Sequence, residues 1–140
     1  MATAIDTNVI TALWNKDDSL NQIARKALDA AFQHGRMVAS GVVYAELLAA
    51  PSRTEQFVER FMQEAGIEVE WEISERMLRT AGSAFRGYAE RRRKQRSAEP
   101  RKILADFLIG AHALVKEHRL LTLDAAMYRA TFPRLELAEV

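Results

Sequence analysis

The sequence predicts an α/β domain with a mainly parallel sheet and helices on both of its faces. Short apolar segments with the character of strands alternate with longer segments in which apolar residues recur at helical spacing. Such alternation is typical of parallel sheets whose strands are connected by helices. The 140 residues match the size of one domain and contain no internal repeat or low-complexity linker, so we expect a single domain over residues 1–140.

Five segments have the pattern of strands. The segments 2–5 and 119–124 are short apolar runs next to an aspartate, and 67–73 alternates apolar with acidic residues, as expected of a half-exposed strand. Residues 36–40 form another apolar run, and 135–140 form a candidate edge strand. In parallel sheets with this architecture, ligands bind at the carboxyl ends of the strands.

Helical spacing of apolar residues predicts six helices between these strands. Gly35 and Gly66 are placed to end two of them, and Ser40 is placed to cap the helix that follows it. The predicted helices comprise residues 7–15, 19–34, 41–50, 53–66, 74–95 and 102–118.

Composition excludes several classes of protein. The chain has no cysteine, which excludes disulfides, zinc–thiolate sites, iron–sulfur clusters and cysteine nucleophiles. No apolar run approaches membrane-spanning length, and the N-terminus lacks the basic region that opens a signal peptide. We therefore expect a cytoplasmic protein that does not bind a membrane.

Positive charge is concentrated in one segment. Residues 86–102 hold eight Lys and Arg and two Glu, a net charge of +6, whereas the rest of the chain holds twelve Lys and Arg and seventeen Asp and Glu, a net charge of −5. A basic segment of this kind attracts a polyanion such as RNA. A solvated helix end is the alternative that the pattern leaves open. The candidate RNA-binding residues are Arg91, Arg92, Arg93, Lys94, Arg96 and Arg101.

Four acidic residues interrupt apolar segments. Asp6 and Asp124 lie at the ends of predicted strands, and Glu46 and Asp106 lie within apolar helices. Carboxylates that converge repel one another, and raised pKa values or divalent cations relieve that repulsion. Mg²⁺ and Mn²⁺ prefer such oxygen ligands, and a pair of these ions can hold the attacking and leaving oxygens of a phosphodiester displacement. Together with the basic segment, the acids favour a metal-dependent nuclease.

Four segments carry recognisable motifs: "AIDTNVI" from residue 4, "SGVVYAELL" from residue 40, "RKILADFLIGAHAL" from residue 101 and "RLLTLDAAMYRATFPRLEL" from residue 119. In this order and spacing they resemble the signature segments of PIN-domain ribonucleases, in particular the VapC-type toxins of toxin–antitoxin pairs, over nearly the whole chain. The resemblance implies a five-stranded α/β sandwich, a homodimer, and inhibition by a cognate VapB-like antitoxin whose C-terminal tail enters the acidic groove.

The resemblance also implies the residues of the active site. The catalytic acids would hold Mg²⁺ or Mn²⁺ and cleave RNA; they are Asp6, Glu46, Asp106 and Asp124. Polar positions that support the site in such proteins are matched by Thr7, Asn8 and Thr122. Ala125 and Ala126 stand where many PIN proteins carry further polar or acidic residues, so the number of metal ions, one or two, stays open.

Simpler roles stay open for the individual acids. Asp6 is placed to cap a helix, Asp124 to begin a turn, and Glu46 to lie on a solvated helix face. Asp106 is close enough in sequence to pair with Arg101 or Lys102.

Two other functions fit parts of the pattern. A phosphoaspartate phosphatase also has acids at strand ends, but it needs a second aspartate where this chain has Asn8. A catalytically silent PIN-like module would bind RNA or an antitoxin without cutting, and it predicts the loss of an acidic ligand. The histidines His34, His112 and His118 show no metal-ligand spacing, and we assign none of them to catalysis.

Overall fold

The computed structural model describes residues 1–95 and 102–140 and confirms the alternation of strands and helices. The predicted cap at Ser40 is confirmed, because its hydroxyl accepts from the N–H of Val42 at 3.1 Å. None of the described helices is long and apolar enough to cross a membrane.

The elements in chain order are β1 (Thr3–Ile5), α1 (Thr7–Trp14), α2 (Asn21–His34), β2 (Met37–Ser40), α3 (Gly41–Leu48), α4 (Glu55–Ala65), β3 (Ile67–Glu70), α5 (Glu75–Gln95), α6 (Leu104–Val115), β4 (Arg119–Leu121) and α7 (Ala125–Thr131).

The sheet contains four parallel strands in the order β3-β2-β1-β4. Every residue of β1 and β2 is buried, which requires cover on both faces of the sheet. The chain steps outward from β1 to β2 to β3 and then returns to β4 on the other side of β1. Right-handed connections therefore place the helices between β1 and β2 and those between β3 and β4 on opposite faces, as predicted.

The prediction of five strands is wrong in its count for the described residues. Residues 135–140 do not form a strand, because Leu137 makes only an isolated parallel bridge with Leu120. The neighbouring strand β4 has three residues and offers too short an edge for a longer ladder. The predicted strand 67–73 ends earlier, at Glu70, and α7 is a helix that was not predicted.

Close packing fixes the position of α6. Phe85 of α5 stacks on Phe107 of α6 at a centroid distance of 4.8 Å. Gly110 brings α6 against Phe132, since a Cβ atom on this glycine would lie 2.3 Å from a carbon of the phenylalanine ring. Asp106 in the first turn of α6 is held in place by the same contacts.

The carboxyl edge of the sheet brings together segments that are distant in sequence. Asp6 directly follows β1, and its N–H donates to the carbonyl of Leu121 in β4 at 2.9 Å. Thr122 follows β4 at the same edge. Ligands bind at this edge in parallel sheets, and the predicted site residues Asp6 and Thr122 lie here.

Candidate active site

Thr122 and Asp6 connect the ends of β4 and β1. The Thr122 hydroxyl donates to Oδ2 of Asp6 at 2.8 Å. The same Thr122 oxygen accepts from the N–H of Asp124 at 3.0 Å and from Nδ2 of Asn8 at 3.4 Å. Oδ1 of Asp6 accepts from the N–H of Thr7 at 2.8 Å, so Asp6 also caps α1. The Thr122 hydroxyl therefore uses its single donor for Asp6 and both acceptor positions for Asp124 and Asn8, so its own orientation is fixed.

Asp6 is only 4% exposed, and its carboxyl group is strongly affected by that burial. Burial raises the pKa of Asp6 to about 6, against hydrogen bonds from Thr122, Tyr128 and Thr7 that lower it. The negative charge of Asp106 raises the pKa further. A buried carboxyl group that is shifted by burial and by a second carboxylate is typical of a functional site.

Glu46 is connected to Asp6 through Thr7. The Thr7 hydroxyl donates to Oε1 of Glu46 at 2.6 Å, while the N–H of Thr7 donates to Asp6. Glu46 is partly buried and lines a cavity of about 480 Å³ together with Trp14 and Arg53. Its position is therefore that of a cavity wall and differs from a fully solvated helix face.

Asp106 and Tyr128 form another part of the cluster. Oδ2 of Asp106 accepts from the N–H of Ile103 at 3.1 Å, so Asp106 helps to cap α6. The Tyr128 hydroxyl lies 3.4 Å from the carbonyl oxygen of Asp106. Burial raises the pKa of the buried Tyr128, and the charges of Asp6, Asp106 and Asp124 raise it further. Tyr128 thus keeps its hydrogen and presents a donor among three aspartates.

Asp124 is paired with a lysine. Nζ of Lys102 lies 2.6 Å from Oδ2 of Asp124, and both side chains are about one-third exposed, at 35% and 36%. The hydrogen bond that Nζ of Lys102 donates to Asp124 raises the pKa of Lys102, and the charge of Asp106 acts in the same direction. The alternative pairing of Asp106 with Lys102 is therefore not adopted, since Lys102 contacts Asp124.

The four predicted acids share one hydrogen-bonded and electrostatic network at the carboxyl edge of the sheet. Within residues 1–95 and 102–140, however, no three of them offer ligand atoms that all lie within 4.8 Å of one another. All four carboxylates instead contact protein donors. Asp6 accepts from Thr122 and Thr7. The other three contact the N–H of Ile103, the ammonium of Lys102 and the hydroxyl of Thr7. The carboxylate oxygens of the four acids are hard ligands of the kind that Mg²⁺ and Mn²⁺ prefer.

The predicted basic residues Arg91, Arg92, Arg93 and Lys94 lie in the last turns of α5. Arg91 and Arg92 line a cavity of about 440 Å³, and Lys102 and Asp124 line the same cavity. The volume is in the range of small-molecule sites. Two further predicted RNA-binding residues, Arg96 and Arg101, lie outside the described residues.

Sequence reasoning missed two residues of this site, Lys102 and Tyr128. Lys102 was considered only as a partner of Asp106, and its contact with Asp124 crosses 22 positions of the chain. Tyr128 lies in the motif that begins at residue 119, four residues after Asp124. Helical spacing could have indicated Tyr128, because side chains four residues apart lie on the same face of a helix.

The chain belongs to the PIN domain family, whose match covers residues 3–133. Solved structures with a similar fold include VapBC-1 from nontypeable Haemophilus influenzae, at 22% identity and a TM-score of 0.68, covering 99% of this chain and 98% of that one.

Two further structures are similar in the same way. VapBC2 from Rickettsia felis, bound to a DNA fragment from its promoter, has 20% identity and a TM-score of 0.68, covering 99% of this chain and 98% of that one. The Mycobacterium tuberculosis toxin VapC20, described as cleaving the sarcin–ricin loop, has 17% identity and a TM-score of 0.61, covering 94% and 96%. At these identities the similarity establishes the fold alone. No curated protein matches the sequence.

Proposed function

We propose that this protein is a metal-dependent endoribonuclease that acts as the toxin of a toxin–antitoxin pair. The observation that carries the proposal is the buried carboxylate of Asp6, which Thr122 holds beside Asp106 at the carboxyl edge of the sheet. A cavity with Arg91 and Arg92 on its wall opens next to Asp124 and supplies positive charge for a polyanion. Family membership and the similarity to VapC-type structures support the same activity.

Asp6, Glu46, Asp106 and Asp124 would hold Mg²⁺ or Mn²⁺ in this proposal. When bound, the cation would lower the pKa of a water molecule and neutralise negative charge on the phosphate. Asp6 favours cation binding because its buried carboxylate is poorly solvated, so a divalent charge compensates for the water that is missing. No side-chain nucleophile is needed for the displacement.

The residues around the acids have distinct tasks. Thr122 and Thr7 orient Asp6 and Glu46 through their hydroxyl groups, and Asn8 holds the loop after β4 by accepting from the N–H of Leu123 at 3.1 Å. The end of α5 would bind phosphates of the RNA through Arg91, Arg92, Arg93 and Lys94. Arg96 and Arg101, which lie outside the described residues, are further candidates for phosphate contacts. Single-stranded or loop RNA is the expected substrate, because specific recognition of RNA mostly uses unstacked bases.

The partners proposed for the chain are a second copy of itself and a VapB-like antitoxin. Two of the similar structures are described as VapBC proteins, which supports an antitoxin partner. Binding of an acidic or C-terminal carboxylate tail in the groove would compete with RNA for the same cations and arginines. The homodimer can be tested separately by light scattering of the purified chain.

The testing experiment is cleavage of total RNA by the purified chain in Mg²⁺ or Mn²⁺. Wild-type protein is compared with Asp6→Asn, with Asp106→Asn, and with a chelator control. Asp29→Asn is the matched variant, because Asp29 is exposed on α2 and takes no part in the site. We expect cleavage by the wild type and by Asp29→Asn only.

The other possible results of this experiment lead to different conclusions. Cleavage that persists in Asp6→Asn or in chelator would contradict the carboxylate–metal mechanism. Folded protein that binds no Mn²⁺ and cuts no transfer, messenger or ribosomal RNA would favour the silent PIN-like module that binds RNA or an antitoxin.

A further inference from the structure

A second group of potential metal ligands lies outside the acidic network. Nε2 of His112 and Nε2 of His118 lie 2.9 and 2.8 Å from one atom, Oε1 of Glu70. The three ligand atoms all lie within 4.8 Å of one another. Glu70 ends β3, His112 lies on α6, and His118 immediately precedes β4, so three separate segments of the chain meet here.

The cluster is shielded from solvent. The side chains of His112 and His118 are 3% and 7% exposed, and that of Glu70 is 17% exposed. Their imidazole rings are tilted, with centroids 5.6 Å apart, so both rings direct a nitrogen atom to the same carboxylate. Burial lowers the pKa of His112, and the hydrogen bond with Glu70 and the charge of Glu70 act in the opposite direction.

We propose that Glu70, His112 and His118 form a binding site for a divalent transition metal, with Zn²⁺ as the ion that fits best. Two imidazoles and one carboxylate are an established ligand set for four-coordinate zinc, with the fourth position left to water. Zinc bonds of about 2.0–2.1 Å place tetrahedral ligand atoms about 3.3 Å apart. Because the present distances from Glu70 to the histidines are 2.8 and 2.9 Å, the site needs to open by about 0.5 Å.

A surface cavity adjoins one of the three ligands, and metal binding requires the imidazole hydrogens to change position. His118 lines a surface cavity of about 660 Å³ that also contains Glu117 and Arg134. Each ring that now donates through Nε2 would carry its hydrogen on Nδ1 after metal binding, so neutral rings exchange no net proton with solvent. Nδ1 of His112 is buried and has no partner among the described residues. We therefore expect an affinity about 10–100-fold below that of a site in which both rings are held by a second hydrogen bond.

Arg36 provides an independent control of this site. Its Nη2 atom lies 3.8 Å from Oε2 of Glu70, the oxygen that the histidines do not contact. The guanidinium is 59% exposed and opposes a second positive charge at the same carboxylate. Replacement of Arg36 by glutamine should strengthen metal binding, whereas a cluster that is only a hydrogen-bonded network predicts no effect on zinc.

The bound metal would connect the edge strand β3, helix α6 and the start of β4. His112 is six residues from Asp106 on α6, about 9 Å along the helix axis, so the two sites are distinct. The expected role is structural: binding to the folded chain alone raises its apparent stability.

The experiment titrates the full chain with Zn²⁺ alone and follows binding by calorimetry and by the unfolding temperature. The Asp6→Asn variant removes the buried carboxylate of the acidic network. The histidine variants are compared on this background, so the result does not depend on the proposed ribonuclease. We expect one zinc ion per chain in Asp6→Asn, at least a tenfold loss of affinity in His112→Gln and His118→Gln, and tighter binding in Arg36→Gln. His34→Gln is the matched control, because His34 is exposed at the end of α2.

Loss of a buried ring can also unfold the chain, so a second measurement uses the intact protein. Nitrogen-15 NMR of the imidazoles should show Nε2 of His112 and His118 shifting together on addition of one equivalent of Zn²⁺. Zinc binding that leaves both resonances in place, or equal affinity in the folded glutamine variants, would overturn the proposal.

Discussion

Nζ of Lys102 lies 2.6 Å from Oδ2 of Asp124, so a lysine neutralises the acid that we propose as the fourth metal ligand. A divalent cation that binds Asp124 has to displace this ammonium group. The ammonium group of Lys102 and a metal ion therefore compete for the carboxylate of Asp124.

The Lys102→Met variant should bind Mn²⁺ more tightly. An ion pair that is one-third exposed is worth up to about 1 kcal/mol, which corresponds to an increase in affinity of up to about fivefold. Mn²⁺ titration by calorimetry measures this change, and Lys94→Met serves as the control because Lys94 is exposed on α5. A weaker affinity in Lys102→Met would contradict a competition between Lys102 and the metal for Asp124.

Removal of the Thr122 hydroxyl should destabilise the fold. Thr122→Val has nearly the same shape, but it leaves the buried Oδ2 of Asp6 without its donor and the N–H of Asp124 without its acceptor. We expect a loss of about 1–3 kcal/mol in the free energy of unfolding in urea. Thr122→Ser keeps the hydroxyl, and a loss as large as that of the valine variant would show that the hydrogen bonds are not the cause.

The raised pKa of Asp6 predicts how stability depends on pH in the absence of metal. The group ionises near 3.8 in the unfolded chain and near 6 in the folded chain, so the folded state binds more protons in between. Stability contributed by this group is therefore highest below pH 4, falls as the pH rises through 6, and the total change is about 3 kcal/mol. Urea unfolding in chelator should show this slope in the wild type, and Asp6→Asn should lack it. Equal slopes in the two proteins would contradict the assignment.

Two glycines offer a matched test of the packing of α6. Gly110→Ala places a Cβ atom 2.3 Å from the ring of Phe132 in the core, and we expect a loss of about 1–3 kcal/mol in stability. Gly82→Ala on α5 meets nothing within 4 Å and should stabilise the helix by about 0.5–1 kcal/mol. Thermal unfolding of the two variants distinguishes them by the sign of the shift, and a stabilising Gly110→Ala would mean that α6 is not packed on Phe132.

Phosphate binding at the end of α5 predicts a salt dependence. If Arg91 contacts a phosphate of single-stranded RNA, Arg91→Gln should reduce the slope of log affinity against log salt by about 0.7. The measurement uses Asp6→Asn protein, which retains the RNA uncut, and fluorescence anisotropy at several salt concentrations. Arg25→Gln is the control, because Arg25 is exposed on α2. A slope that is equal in both variants would remove Arg91 from the binding surface.

The sequence predicted the fold class and the location of the acids because both depend on local patterns. Asp6 directly follows β1, and strand ends meet at one edge of a parallel sheet. The predicted strand 119–124 ends at Leu121, so Asp124 lies three residues beyond it, at the start of α7. The fifth strand was overpredicted because the alternating pattern of residues 135–140 carries no information on the length of the neighbour with which they would pair. That neighbour, β4, has only three residues.

Contacts between distant segments were beyond local reasoning. His112 and His118 are six positions apart, a spacing that places no two side chains on one helix face, and Glu70 lies more than forty positions upstream. The chain turn between α6 and β4 brings the two rings together, and only the assembled sheet brings Glu70 to them. The pairing of Lys102 with Asp124 was missed for the same reason.

The Thr122 hydroxyl has three polar neighbours and a single hydrogen to donate, and it donates that hydrogen to Oδ2 of Asp6. Asn8 and the backbone of Asp124 point their hydrogens at Thr122, so the chain of donors runs in one direction and ends on the carboxylate. A proton added to Oδ2 of Asp6 would face another hydrogen and reverse this order. Because every donor in this network points toward Asp6, the network favours the ionised carboxylate, whose oxygens can donate electron pairs to a cation.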